Sequence, residues 1–119
     1  MSQYLPIFKP GQAITLRASA SITGGQVVSV SGNGTVAPAG NNSPSVVGVA
    51  GFDAAENDNV TIFTGGVQHV AVDGGISSGA QVVSSSGGQV EAADEDPNVI
   101  GIALTGGPGG TQIRVLFNR

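Results

Sequence analysis

Apolar and polar residues alternate from Ala13 to Ala18, with Ile14, Leu16 and Ala18 on one side and Thr15 and Arg17 on the other. That period of two predicts a half-buried strand. The same alternation recurs in Val67–Val72 and in Gln112–Phe117, where Ile113, Val115 and Phe117 share a face. Between them lie short apolar runs: Val27-Val28, Val46–Ala50, Val60–Phe63, Val82-Val83 and Val99–Ala103. Glycine clusters at Gly24-Gly25, Gly32-Asn33-Gly34, Gly74-Gly75, Gly87-Gly88 and Gly106–Gly110 separate the runs at the spacing of strand plus turn. No segment carries a 3.6-residue apolar period, and Phe52–Glu56 is long enough for one helical turn at most.

The runs occur twice in the same order. Ile22, Gln26-Val27-Val28, Gly34-Thr35-Val36, Val46–Ala50 and Val60–Phe63 are followed by Ile76, Gln81-Val82-Val83, Gly88-Gln89-Val90, Val99–Ala103 and Ile113–Leu116. The shift is 54 from Ile22 to Ile76, 55 from Gln26 to Gln81 and 53 from Val47 to Ile100. Loops gain and lose residues where paired strands cannot, so repeat units of about 22–63 and 76–116 are expected. Two units are too few for an open solenoid. The expectation is an all-β fold, a compact Gly/Val-rich β-barrel or β-sandwich-like domain with an internal two-fold repeat. Gly48 and Gly101 occupy matched places inside apolar runs. An interior glycine there predicts a bulge or a close backbone approach, which makes both structural glycines.

Residues 1–11 differ from the rest. Tyr4, Leu5, Ile7 and Phe8 are crowded around Pro6 and ahead of Lys9 and Pro10. Proline excludes a helix and favours extended backbone. The segment is too apolar for a solvated tail. It is either a first strand packed on its own domain or an extended arm packed on another chain. Residues 12–119 then form one β-domain.

Composition narrows the function. Of 119 residues 20 are glycine, with one tyrosine, four phenylalanines and no tryptophan, so the core is built from Val, Ile, Leu and Ala. A core that thin in a small domain favours oligomerisation. No cysteine is present, which excludes disulfides, thiol nucleophiles and thiolate metal sites. The start of the chain lacks the basic-then-apolar form of a signal peptide, and no run reaches the ~20 apolar residues of a spanning helix. Lys9, Arg17, Arg114 and Arg119 are the only cations against eight acids, for a net charge of −4. No Lys or Arg occurs from Ala18 through Ile113, so the basic stripe of a nucleic-acid binder is missing.

The same poverty excludes common chemistries. His69 is the only histidine and sits in an alternating strand, with no partner for a zinc site or a nucleophile dyad. Asp94-Glu95-Asp96 lacks the spacing of a calcium loop and reads as a solvated acidic loop, as does Glu56-Asn57-Asp58. Gly106–Gly110 has no Lys-Ser/Thr after it and is no phosphate loop. No catalytic, cofactor or metal residue can be named, and a protein without catalysis is expected.

Pro10-Gly11-Gln12-x-Ile14-Thr15, Gly24-Gly25-Gln26-Val27-Val28, Val46-Val47-Gly48-Val49-Ala50-x-Phe52-Asp53, Val99–Leu104 and Arg114-Val115 together resemble the small capsid decoration, or cement, proteins of tailed bacteriophages, in the form found in phages of actinobacteria. The resemblance spans almost the whole chain. It implies a compact β-fold, a homotrimer on the outer capsid surface of the virion, and binding to the major capsid protein that clamps neighbouring subunits, with no nucleic acid or membrane partner. It also implies an N-terminal arm on the shell. Tyr4, Leu5, Pro6, Ile7, Phe8 and Lys9 match that arm in position and character, and Arg17 and Arg114 are further candidates for capsid contact. Another phage structural module (tail, fibre or baseplate) and a carbohydrate-binding β-domain are the competing readings.

Overall fold

The computed structural model describes residues 13–94 and 97–117. These form ten strands: β1 (Ile14–Ala18), β2 (Val27–Gly32), β3 (Thr35–Pro38), β4 (Val46–Ala50), β5 (Asn59–Phe63), β6 (Gly66–Ala71), β7 (Gln81–Ser85), β8 (Gln89–Ala92), β9 (Gly101–Ala103) and β10 (Gln112–Phe117). The fold is all-β. A single 3-10 turn at Ser86–Gly88 is the one helical element among the described residues. Phe52–Glu56 forms no helical turn. Its Ala54 instead bridges Ile22 antiparallel, which ties the β4–β5 turn to the chain entering β2.

The first five strands close into a barrel in the order β1-β3-β2-β4-β5. Closure comes from β1, which pairs antiparallel with β5 and parallel with β3 through Arg17↔Thr35 and Ala18↔Val36. Ala18, Ile22, Val28, Val36, Ala50, Val60 and Ile62 fill the interior, all of them small or branched. The second sheet runs β6-β10-β9-β7-β8. Its two outer strands meet at the single parallel bridge Val72↔Val90.

The same backbone pairings recur along the chain. Leu16↔Val60 in the barrel is matched by Val70↔Ile113, Ala50↔Ile62 by Ala103↔Val115, and Ala18↔Val36 by Val72↔Val90. Hydrogen bonds outside the ladders follow suit. Gly25 N–H donates to Ala50 O as Gly79 N–H donates to Ala103 O, and Ala18 N–H to Asp58 O as Val72 N–H to Thr111 O. One alignment drawn from the sequence changes. Val27 pairs Val49, and Gln81 pairs Ile102, so Val27 and not Gln26 stands where Gln81 stands. The cause is facing: Val27 is fully buried and Gln81 is exposed, so the two halves need opposite polarity at that place.

Val27 is buried because the halves share an apolar seam. Val27, Ala39, Val46 and Val49 of the barrel belong to one cluster with Val70, Val72, Val82, Ile113, Val115 and Phe117. The neighbouring Val28 points into the barrel. Both faces of β2 are thus covered at its start, which explains why Val27-Val28 reads as a continuous apolar run and not as an alternation. Polar contacts close the rest of the seam. Ser84 Oγ donates to Gly40 O at 2.8 Å and accepts from Ser43 N–H at 2.9 Å, and Gly88 N–H donates to Ala39 O.

Gly48 and Gly101 lie where strands crowd. A Cβ at Gly48 would overlap the carbonyl oxygen of Phe63, and one at Gly101 that of Leu116. Beside Gly48 the β2–β4 register also slips between Val28↔Gly48 and Ser29↔Val46. Neither glycine has a positive φ, so the requirement is for space and not for left-handed backbone.

Candidate functional site

Of the residues with a sequence-based case for contact with another protein, Tyr4, Leu5, Pro6, Ile7, Phe8 and Lys9 lie outside the described residues. Arg17 and Arg114 are both exposed, on strands that do not pair with each other. Arg17 sits on β1 opposite Asn59 of β5, in the barrel. Arg114 sits on β10 opposite His69 of β6, in the second sheet. The strands β1 and β10 belong to different sheets.

A surface that sequence reasoning missed is better built. Strand β10 alternates Ile113, Val115 and Phe117 inward with Gln112, Arg114 and Leu116 outward. Leu116 pairs with Val67 on β6 and with Ile102 on β9. Residues directly opposite on one face touch, so Val67, Leu116 and Ile102 make a continuous row across three strands. They are 52%, 43% and 40% exposed. The adjacent row holds His69 and Arg114, and Leu104, whose N–H donates to Arg114 O, completes it. Leu104 is itself half exposed. The outward face of β6, β10 and β9 therefore presents four apolar side chains beside an arginine and a histidine. Its signal was present in the sequence: if Val115 and Phe117 point in, Leu116 points out.

The barrel carries a smaller counterpart. Phe63 ends β5 with its ring against Gly51, where a Cβ would sit 2.9 Å from ring carbon Cε2. Phe52 follows Gly51 and is half exposed. The turn continues through Asp53, whose Oδ1 accepts Gly24 N–H at 2.7 Å, and through the exposed Glu56 and Asp58.

Between the halves a cleft of about 260 Å³ is lined by Thr23, Gly24, Gln26, Gly87, Gln89 and Gln112, among others. Gln26 spans it, accepting Thr23 N–H through Oε1 and donating through Nε2 to Gly87 O. Its lining holds amides, a hydroxyl and backbone, and none of the acid–base groups that a hydrolytic centre uses. Among the described residues no three His, Asp or Glu side chains gather as metal ligands would.

The phage cement protein family matches residues 8–117, nearly the whole chain. The chain belongs to that family. It is a phage structural protein associated with the capsid. No curated protein matches it. Among solved structures, the N base of the head fibre gp8.5 of bacteriophage phi29 is similar to this cement protein with a TM-score of 0.74 and 18% identity, over 90% of this chain and 93% of that one. At that identity the likeness is one of fold. No helix among the described residues is long and apolar enough to cross a membrane.

Proposed function

We propose that this cement protein binds the outer surface of a phage capsid as a homotrimer and strengthens the shell by clamping neighbouring major capsid protein subunits. The family match over residues 8–117 carries this reading. The role is mechanical, with no cofactor and no catalytic step. The N-terminal segment through Lys9 supplies the anchor, and Arg17 is a candidate for further contact with the shell. Symmetry would turn modest contacts per subunit into high occupancy.

Purified protein added to expanded, undecorated capsids tests it. The expected result is saturable co-sedimentation and shells that survive heating or loss of divalent ions longer than bare shells. Protein that stays in the supernatant at saturating concentration overturns the reading.

The phi29 protein, described as the base of a head fibre, favours a second reading in which this domain seats a projecting fibre on the head. Cryo-electron reconstruction of the parent particle separates the two. A cement protein ends at its own surface, and a fibre base continues into a shaft.

A further inference from the structure

Charge is unevenly placed among the strands: the acids of the second half, Asp73, Glu91 and Asp94–Asp96, all lie outside β6, β9 and β10. From Gly66 to Val72 and from Gly101 to Phe117, the stretches containing β6, β9 and β10, there is no acidic residue. Arg114 and His69 stand directly opposite each other there, next to Val67, Leu116, Ile102 and Leu104. From Ala18 to Gly65 there is no lysine or arginine, and Asp53, Glu56 and Asp58 all fall in the one turn that begins at the exposed Phe52. Arg17 lies across from Asn59, beside this turn. Three acids against that one cation leave the turn with a net charge of −2.

We propose that the outward face of β6, β10 and β9 in one copy docks on the Phe52–Asp58 turn of the next copy. Each surface offers apolar side chains to bury, and each carries the charge that the other lacks. A face-to-face contact between two identical sheets would bring the Arg114 side chains of the two copies into one contact, and like charges in a contact cost several kcal/mol. The complementary arrangement avoids this. It joins two different surfaces of the chain, so it is head-to-tail, and it closes into a ring when the rotation between copies divides a full turn. This rests on the self-association in the function proposed above and deepens it by naming the surfaces that meet. It assigns Arg114 to the contact between copies and not to the shell.

Two variants and their mixture test it by sedimentation velocity on the full chain. The first, Arg114→Glu with Leu116→Gln, alters the sheet face. The second, Phe52→Ser with Glu56→Lys, alters the turn. Circular dichroism and a melting curve establish that each is folded, and Arg114→Glu alone serves if the first double variant is not. The wild type is expected to be a closed oligomer. Each variant alone is expected to be a monomer, with association weakened by about 100-fold or more. Mixed, the two variants should form one-to-one dimers and nothing larger, because each retains the surface that the other lost. A monomeric wild type, variants that keep the wild-type mass, or a mixture that stays monomeric overturns the proposal. Capsid co-sedimentation of the wild type is read separately. A monomer that still binds shells sinks the docking pair and spares the capsid reading, and a ring that ignores shells does the reverse.

Discussion

Gly48 lies against the carbonyl oxygen of Phe63 with no space for a Cβ atom. Gly101 stands in the same relation to Leu116 in the second sheet. In both places an antiparallel neighbour passes so close that its own backbone fills the volume a side chain would take.

Gly48→Ala and Gly101→Ala are therefore each expected to destabilise the fold by about 1–3 kcal/mol, through displaced strands. Gly40 is the control, since it has ordinary backbone and nothing within 4 Å of the place a Cβ would take. Gly40→Ala should change stability by under about 0.5 kcal/mol. Urea unfolding midpoints check all three. Equal effects at Gly40 and Gly48 would remove the close approach as the cause.

Ser84 shows what the sequence hides. It is polar, yet it is fully buried, because its hydroxyl serves Gly40 O and Ser43 N–H across the seam between the halves. Ser84→Ala should cost about 1–3 kcal/mol by leaving both backbone groups without that partner. The melting temperature should fall with no change in far-ultraviolet circular dichroism at low temperature. An unchanged melting temperature would mean that water replaces the hydroxyl.

Strands were readable where one face is wet and the other dry. Gln112–Phe117 alternates cleanly, and β10 has those bounds. Glycine marked the hairpin turn between β2 and β3, with Gly34 in the left-handed region. Reading failed where a second surface is covered. Gln26-Val27-Val28 and Gln81-Val82-Val83 look equivalent, but Val27 is buried in the seam where its counterpart Gln81 is exposed, which shifts the match by a residue. Ile102 fails in the opposite sense: it sits within an apolar run and yet is 40% exposed. Residue type cannot separate a core face from a contact face, because both are apolar. The register of β10 can, since it puts Leu116 and Ile102 side by side on the outside.

The shared seam has a consequence for unfolding. Val49 is a barrel residue packed in the cluster that fills the second sheet. Removing two methyl groups there loosens both halves at once. Val49→Ala should lower stability by roughly 1–3 kcal/mol and keep a single transition. Calorimetry in which the van't Hoff and calorimetric enthalpies agree, for wild type and variant, is the expected outcome. Two resolved transitions would show that the halves fold independently and that the seam contributes little.

The last prediction concerns residues 2–9. Tyr4, Leu5, Ile7 and Phe8 carry four large apolar side chains within five positions, and Pro6 and Pro10 restrict the backbone around them. Each large side chain buried in full contributes roughly 1.5–3 kcal/mol, so losing several removes a large share of what this segment can contribute to binding. The proline restriction lowers the cost of ordering such a segment on a partner. Among the described residues the barrel closes through β1, with Leu16 and Ile14 packed against its core. Deleting residues 2–9 is therefore expected to leave the melting temperature within a few degrees of wild type and to abolish co-sedimentation with capsids. Wild-type occupancy by the truncated protein would move the anchor to the barrel face around Arg17. A truncated protein that no longer folds would show that the segment is a strand of its own domain.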